Sequence, residues 1–471
     1  MPPVTTTGDL DNPIAAEHYG HRTVAVEPGG VEQIPESERH GTPLQLLWTW
    51  TSPNLEFATI GVGIIGPLFF GLSFWQCFLA IVVGTALGSA THGVLSGWGP
   101  RNGLCQMVLS RTGFGFLGNI LPAGLNAVIA GVGWFAVNSI SGALALHALI
   151  DGLPKVVCLL VIVAAQLTLA FYGHNLVHAF ERYALPVLAL VFLIGAVIVF
   201  AKSDPGAPGK PIPGAWLIEA AAAFGYACGW NPYASDYTRY LPSSVDRVKT
   251  GLYAGLGIFV SCVVLETAGA AMVSAAGKAA NVDPGVYTGL LPTFLGDLTL
   301  LCIAVGAVAA NALNIYSGAM SFMALGVKLP LHRARAVVAV VFGVLGFVVA
   351  ILGLKNAGEN YENFLLVIAY WIGPWLGVVL TDRYLRRGES TEELTATATD
   401  TTYRNWAGPI AMGVGMVISI WLFSNQTKYV GLVVKHEPHV GDITFLVGFV
   451  VAAALYLVLY PAMGKRAKMA V

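Results

Sequence analysis

Apolar residues in this chain come in long unbroken blocks, without the alternation or three-to-four-residue spacing of elements that keep one wet face. A helix needs about 20 mostly apolar residues to cross a bilayer. Twelve runs meet that need: 44–70, 73–97, 116–146, 154–172, 183–201, 214–235, 250–275, 291–323, 335–354, 361–380, 406–423 and 443–462. The pattern predicts an all-α polytopic membrane protein with 12 transmembrane helices. Several runs exceed one crossing, so tilt, breaks or overhang must absorb the excess. Residues 1–43 are polar and lack the basic-then-apolar order of a signal peptide. They read as a cytoplasmic disordered tail ahead of a membrane domain over 44–463, with 464–471 as a short cytoplasmic C-terminal tail.

Composition strengthens this picture. Hydrophobic residues make up 56% and charged residues 11%, with a mean hydropathy of +0.69. Soluble domains carry about 25% charged residues, so the solvent for most of this chain is lipid. Tallied over alternate loops, 18 of the 25 Lys and Arg fall on the side of the N-terminus and 7 on the other. That bias favours both termini in the cytoplasm, and the expected location is the plasma membrane. A net charge of −1 without a basic stripe gives no sign of nucleic-acid binding. Six scattered cysteines form neither a disulfide framework nor a zinc cluster. HExxH, GxSxG and P-loop motifs are missing, which argues against an enzyme.

Two runs carry helix-breaking residues. The first contains Thr51-Ser52-Pro53-Asn54-Leu55-Glu56 and the sixth Gly225-Tyr226-Ala227-Cys228-Gly229-Trp230-Asn231-Pro232. Interrupted helices at matching positions point to a transporter's binding site, although Pro and Gly also merely kink membrane helices. Glu56 beside the first break is a candidate proton carrier or a rim carboxylate. Glu266 in the seventh run is a second buried-acid candidate. Trp134 and Asn138, four apart, share a helix face, and Asn311 and Asn314 nearly do. Asparagine offers one acceptor and two donors, which suits the edge of a heterocyclic base. Trp134 and Trp230 offer faces for stacking. The same residues serve equally as interhelical glue and packing. Asp236 and Arg239, three apart, read as a structural or gating pair. His92, His174 and His178 fall near predicted helix ends and receive no role.

The stretch from Phe224 to Pro242, FGYACGWNPYASDYTRYLP, resembles the purine–cytosine permease branch of the nucleobase–cation symporter family. So do Trp50 through Gly63, Gly133-Trp134-Phe135 and Asn314-Ile315-Tyr316-Ser317, in order and spacing across the membrane portion. The resemblance implies a leucine-transporter-like fold. Two inverted five-helix repeats, about 44–201 and 214–380, would have broken first and sixth helices, with peripheral helices at about 406–462. It implies a substrate site at the midplane formed by Trp134, Asn138, Trp230, Asn311, Asn314 and Ala58. Asn54 and Phe57 fall where some members offer backbone oxygens to sodium, and Glu56 lies between them. One departure weakens sodium coupling: Val305-Gly306-Ala307-Val308-Ala309-Ala310 carries no hydroxyl for the ion.

The expectation is a secondary active transporter that imports cytosine or a purine by proton- or sodium-coupled symport, with no cofactor. It would act as a monomer or weak oligomer among membrane lipids. Alternatives are symport of another planar ring (hydantoin, allantoin, a thiamine-precursor pyrimidine, a pyridoxine-like vitamer), a passive channel, or a membrane enzyme.

Overall fold

The computed structural model describes residues 30–172, 174–327 and 331–464. Residues 1–29 of the expected N-terminal tail and 465–471 of the C-terminal tail lie outside them. Among the described residues the chain is helical, with two isolated β-bridges, Gly115 with Arg404 and Asn425 with Val430.

The principal helices are α1 (Gln45–Thr51), α2 (Phe57–Phe70), α3 (Phe74–Ser96), α4 (Ile120–Val128), α5 (Phe135–Leu149), α6 (Lys155–Tyr172), α7 (His174–Lys202) and α8 (Ala215–Cys228). They continue as α9 (Ala234–Thr238), α10 (Arg247–Ala276), α11 (Thr293–Ala324), α12 (Leu331–Gly353), α13 (Ala357–Leu385), α14 (Ala407–Phe423) and α15 (Thr444–Met463). Their ends follow local chemistry. Gly71 closes α2 at φ 70°, in the left-handed region that favours glycine. Ser73 and Gln76 then open α3 with a reciprocal capping box. Asp246 caps α10 by accepting from the Lys249 amide at 2.8 Å.

α3 packs along α8 and α10, α2 against α10, and α5 against α11, while α13, α14 and α15 form a further layer. Close approach depends on small residues. A Cβ at Gly63 of α2 would lie 1.6 Å from the Glu266 carbonyl oxygen of α10, so only glycine fits there. Large apolar side chains face outward, among them Phe294 at 80% and Val248 at 77% exposure. With the long apolar helices, this makes the chain a multi-pass integral membrane protein.

The count of twelve spanning helices is not upheld. Among the described residues seven helices are long and apolar enough to cross, or eight if the bent pair Gln45–Asn54 and Phe57–Phe70 is one span. Two expected runs become short: winding stops after 14 residues in α8 and after 17 in α14, while of α6 only Lys155–Leu169 are fully described. The runs at 335–354 and 361–380 follow each other as one apolar stretch, Ala339–Leu385, with a turn at Leu354–Asn356 and non-helical backbone at Asn356 (φ −130°, ψ 51°) between α12 and α13. Hydropathy marks apolar composition, but helix length depends on where the winding stops.

Residues 30–43 run across one end of the bundle. Ile34 N donates to Gly103 O at 2.9 Å, His40 N to Tyr240 O at 2.7 Å, and Arg39 Nη1 to Pro100 O at 2.6 Å.

Candidate functional site

Two breaks in the helices meet at the centre. After α1 come a tight turn at Ser52–Asn54 and extended backbone at Glu56 (φ −149°, ψ 170°), and α2 leaves at 62° to α1. After α8 come Gly229 and Trp230, a turn at Asn231–Tyr233 with Pro232, and then α9. Pro53 and Pro232 lack an N–H for continued winding. Side chains stitch the breaks together. Trp230 Nε1 donates to Asn54 Oδ1 at 2.9 Å. Asn54 Nδ2 donates to Trp50 O at 2.7 Å and to Ser261 Oγ at 3.1 Å.

Trp134 closes a widened π-helical turn, Ile129–Trp134, between α4 and α5. Such turns interrupt α-helices most often at functional sites. Its indole lies nearly parallel to that of Trp230, with ring centroids 6.5 Å apart and planes 8° from parallel. Tyr226 and Phe364 meet Trp134 edge-on at 5.4 and 5.1 Å. Trp50 backs Trp230 at 5.9 Å, and His92 meets Trp50 edge-on at 4.2 Å. Beside this slot a cavity of about 430 Å³ is lined by Phe57, Ala58, Gly133, Val137, Tyr361 and Phe364 among others.

The three predicted amides converge. Asn138 bonds Asn311 Oδ1 at 2.9 Å, Asn314 Nδ2 donates to the same oxygen at 3.3 Å, and Asn311 Nδ2 donates to Phe135 O at 3.0 Å. Asn314 Oδ1 is buried without a partner. The other face of the Asn138 amide lies 3.1 and 3.2 Å from the two Glu56 oxygens. Glu56 is 2% exposed, so it is no rim carboxylate. Tyr226 Oη lies 3.3 Å from Glu56 Oε1 and 2.5 Å from Thr59 Oγ1.

The remaining predicted residues sit at the margins. The Ala58 carbonyl accepts from Tyr361 Oη at 2.9 Å. The Asn54 carbonyl accepts from Thr59 Oγ1 at 2.6 Å and from Glu56 N at 2.9 Å. Asp236 on α9 and Arg239 at its end bond to residues outside the slot. Asp236 accepts from Gln106 N at 2.9 Å, while Arg239 donates to Gly30 O at 2.8 Å and Tyr316 Oη at 3.1 Å.

Sequence reasoning passed over Tyr226, Thr59, Glu219 and His92. Tyr226 and Thr59 lie inside the motifs already singled out, where a hydroxyl beside a helix break was the available signal. Glu219 is fully buried in α8, with Cys77 Sγ 3.7 Å from its Oε1. Glu266 accepts from Thr85 Oγ1 at 3.0 Å. His92 is fully buried near the end of α3, not reaching for the membrane surface. The side chains of His174 and His178 lie outside the described residues.

Residues 33–448 match the family described as permease for cytosine/purines, uracil, thiamine, allantoin. The chain is 31% identical to purine-cytosine permease fcyB of Emericella nidulans, over 93% of this chain and 88% of the relative. It is 29% identical to putative purine-cytosine permease YxlA of Bacillus subtilis, over 94% and 98%. To purine-cytosine permease FCY2 of Saccharomyces cerevisiae it is 30% identical, over 94% and 87%. Among solved structures it superposes on Mhp1, a nucleobase-cation-symport-1 family transporter, closed with bromovinylhydantoin bound. The TM-score is 0.73 at 18% identity, over 93% of this chain and 97% of that one. Inward-facing Mhp1 gives 0.70. The leucine-transporter-like label therefore gives way to the fold of Mhp1, an all-α packing of inverted-repeat character.

Proposed function

The chain belongs to the family of permeases for cytosine/purines, uracil, thiamine and allantoin, and from that premise we propose that it takes up cytosine or a purine together with a proton. It is a secondary transporter for a nucleobase, working by alternating access and ion-coupled symport. One observation carries the site assignment: two parallel indoles 6.5 Å apart beside three mutually bonded amides. Aromatic carbons pack at about 3.5–4 Å, so a flat ring held between the two faces needs about 7–8 Å, and the indoles must part slightly from their 6.5 Å spacing to admit one. Stacking is worth roughly 1–3 kcal/mol per base. Asn138, Asn311 and Asn314 supply the donors and acceptors that a base edge needs, and the free Asn314 Oδ1 is an acceptor for a ring N–H or exocyclic amine. Trp134 and Trp230 hold the faces, and Ala58 and Phe57 form part of the approach.

Proton coupling rests on Glu56, an acid buried between the breaks and touching both Tyr226 and Asn138. For sodium, the Asn54 carbonyl is already engaged, and 305–310 of α11 lacks hydroxyls. Arg39, Arg111, Arg239 and Arg386 gather at the end crossed by residues 30–43, and we assign that end, and with it the N-terminus, to the cytoplasm.

The test is accumulation of labelled cytosine and adenine in proteoliposomes, with pH and sodium gradients imposed separately. Accumulation is expected under an inward proton gradient alone. A sodium gradient as the sole driver would overturn the choice of ion, and competition by pyridoxine or a hydantoin but by no base would overturn the substrate.

A further inference from the structure

Hydrogen-bond direction around Glu56 can be worked out from groups that have no choice. The Phe135 carbonyl only accepts, so the Asn311 amide nitrogen, 3.0 Å away, faces it. That turns Asn311 Oδ1 toward Asn138, and a 2.9 Å contact there requires the Asn138 nitrogen as donor. The Asn138 oxygen is then the atom 3.1 and 3.2 Å from the Glu56 oxygens. An amide oxygen at that distance from a carboxylate repels it. The same atoms attract if Glu56 carries an O–H.

A second row, sharing no residue with the first except Glu56, ends the same way. The Asn54 carbonyl only accepts, so the single Thr59 hydroxyl hydrogen goes to it across 2.6 Å. The 2.5 Å contact between Thr59 and Tyr226 must then use the Tyr226 hydrogen. Tyr226 Oη is left with lone pairs alone toward Glu56 Oε1, 3.3 Å away. Both rows end on an oxygen that turns lone pairs toward Glu56, and the single O–H of a protonated Glu56 goes to the nearer of the two, on Asn138. Glu56 is buried, and the other titratable groups facing it are Tyr226 on α8, Cys262 on α10 and Tyr361 on α13. None of them is a base, and α5 and α11 present only amides.

We propose that Glu56 is protonated in this conformation and that its proton sets the direction of the amide row Asn138–Asn311–Asn314 that meets the substrate. This rests on the proton-coupled reading above and deepens it. If Glu56 ionises, Asn138 must turn its nitrogen to the carboxylate. Its oxygen then faces Asn311 Oδ1 at 2.9 Å, and turning Asn311 to relieve that sets oxygen against the Phe135 carbonyl. With the proton the Glu56–Asn138, Asn138–Asn311 and Asn311–Phe135 contacts are all matched, and only the Asn138 and Asn314 nitrogens, 3.3 Å apart, are not. Without it the turned Asn138 gains Glu56 and Asn314 as partners, but the shorter 2.9 Å contact with Asn311 becomes oxygen on oxygen. Proton and base therefore favour the same arrangement of amides, and each strengthens the binding of the other by an equal factor.

Two measurements on the purified protein in lipid test this. Infrared spectroscopy at neutral pH should show the carbonyl stretch of a protonated carboxylic acid that disappears in E56Q and shifts in Y226F, which keeps the acid but removes its hydroxyl neighbour. Cytosine affinity, followed by tryptophan fluorescence, should fall about tenfold per pH unit above the Glu56 midpoint in the wild type and change less than twofold over the same range in E56Q. An acid band insensitive to both substitutions, or equal pH slopes in wild type and E56Q, would overturn the proposal. If E56Q fails to fold, the Y226F band decides alone: no shift sinks the proposal. A Glu56 band together with purely sodium-driven uptake would uphold the resident proton while refuting the coupling ion proposed above.

Discussion

The site makes sharp demands on single residues. Asn314→Ala removes one amide of the row and its free acceptor, leaving Asn311 Oδ1 with Asn138 as its donor. We expect uptake of labelled cytosine to be abolished while membrane insertion is intact, since no backbone bond depends on that side chain. Unchanged uptake kinetics would count decisively against the site. Trp230→Ala deletes one wall of the slot and releases Asn54 Oδ1. A stacking loss of roughly 1–3 kcal/mol corresponds to roughly 5- to 150-fold weaker binding, measurable by titration of the remaining tryptophan fluorescence. The tryptophans and asparagines were legible in the sequence because their types are scarce and costly inside a membrane and because their spacings place them on shared faces. Tyr226 and Thr59 were not, since a hydroxyl returning its hydrogen to a backbone carbonyl is commonplace and only the third dimension brings Tyr226 against Glu56.

Among the elements, the breaks could be read in advance and the helix ends could not. Pro53, Asn54, Gly229 and Pro232 each obstruct α-helical winding locally, so a short window suffices to find them. The point at which α8 stops depends on how Trp230 and Asn54 meet across the bundle, which no window of α8 contains. The same holds for the junction of 335–354 with 361–380, where winding is interrupted only briefly, by a turn at Leu354–Asn356 and non-helical backbone at Asn356. Packing between elements gives a firmer prediction. α2 lies so close to α10 that a methyl group at Gly63 would overlap the Glu266 carbonyl at 1.6 Å. Gly63→Ala must push the two helices apart or fail to assemble them. Overpacking of this kind typically costs about 1–3 kcal/mol, and we expect a lower thermal midpoint in detergent together with loss of uptake. A variant with wild-type stability would mean that α2 and α10 are not in register as described.

At the scale of the whole molecule, transport requires one end to open while the other closes, and the two ends are built differently. The cavity beside the slot runs along the first turns of α13, at Ala357, Tyr361 and Phe364. The far end is crossed by residues 30–43, where Arg239 ties α9 to Gly30 and to Tyr316 of α11, and Glu36 accepts from Ser243 N at 2.8 Å. That backbone N–H holds the Glu36 carboxyl below its ordinary range. Its contribution is therefore complete above the usual carboxylate pKa of about 4.3 and is lost only as pH falls through the lowered value, so this tie stands throughout the neutral range. Arg239 is the stronger hold, because a hydrogen bond to a charged group is worth about 1.5–3 kcal/mol. Arg239→Gln should shorten the reach and weaken the bond to Gly30, shifting the balance between closed and open ends by roughly tenfold. The expected signature is faster hydrogen exchange in residues 30–40 and several-fold faster leak of preloaded cytosine from proteoliposomes, with the slot tryptophans still quenched by substrate. If exchange rises without any change in leak, the strap is packing and Arg239 is no gate. If neither moves, the ties across this end do not limit its opening.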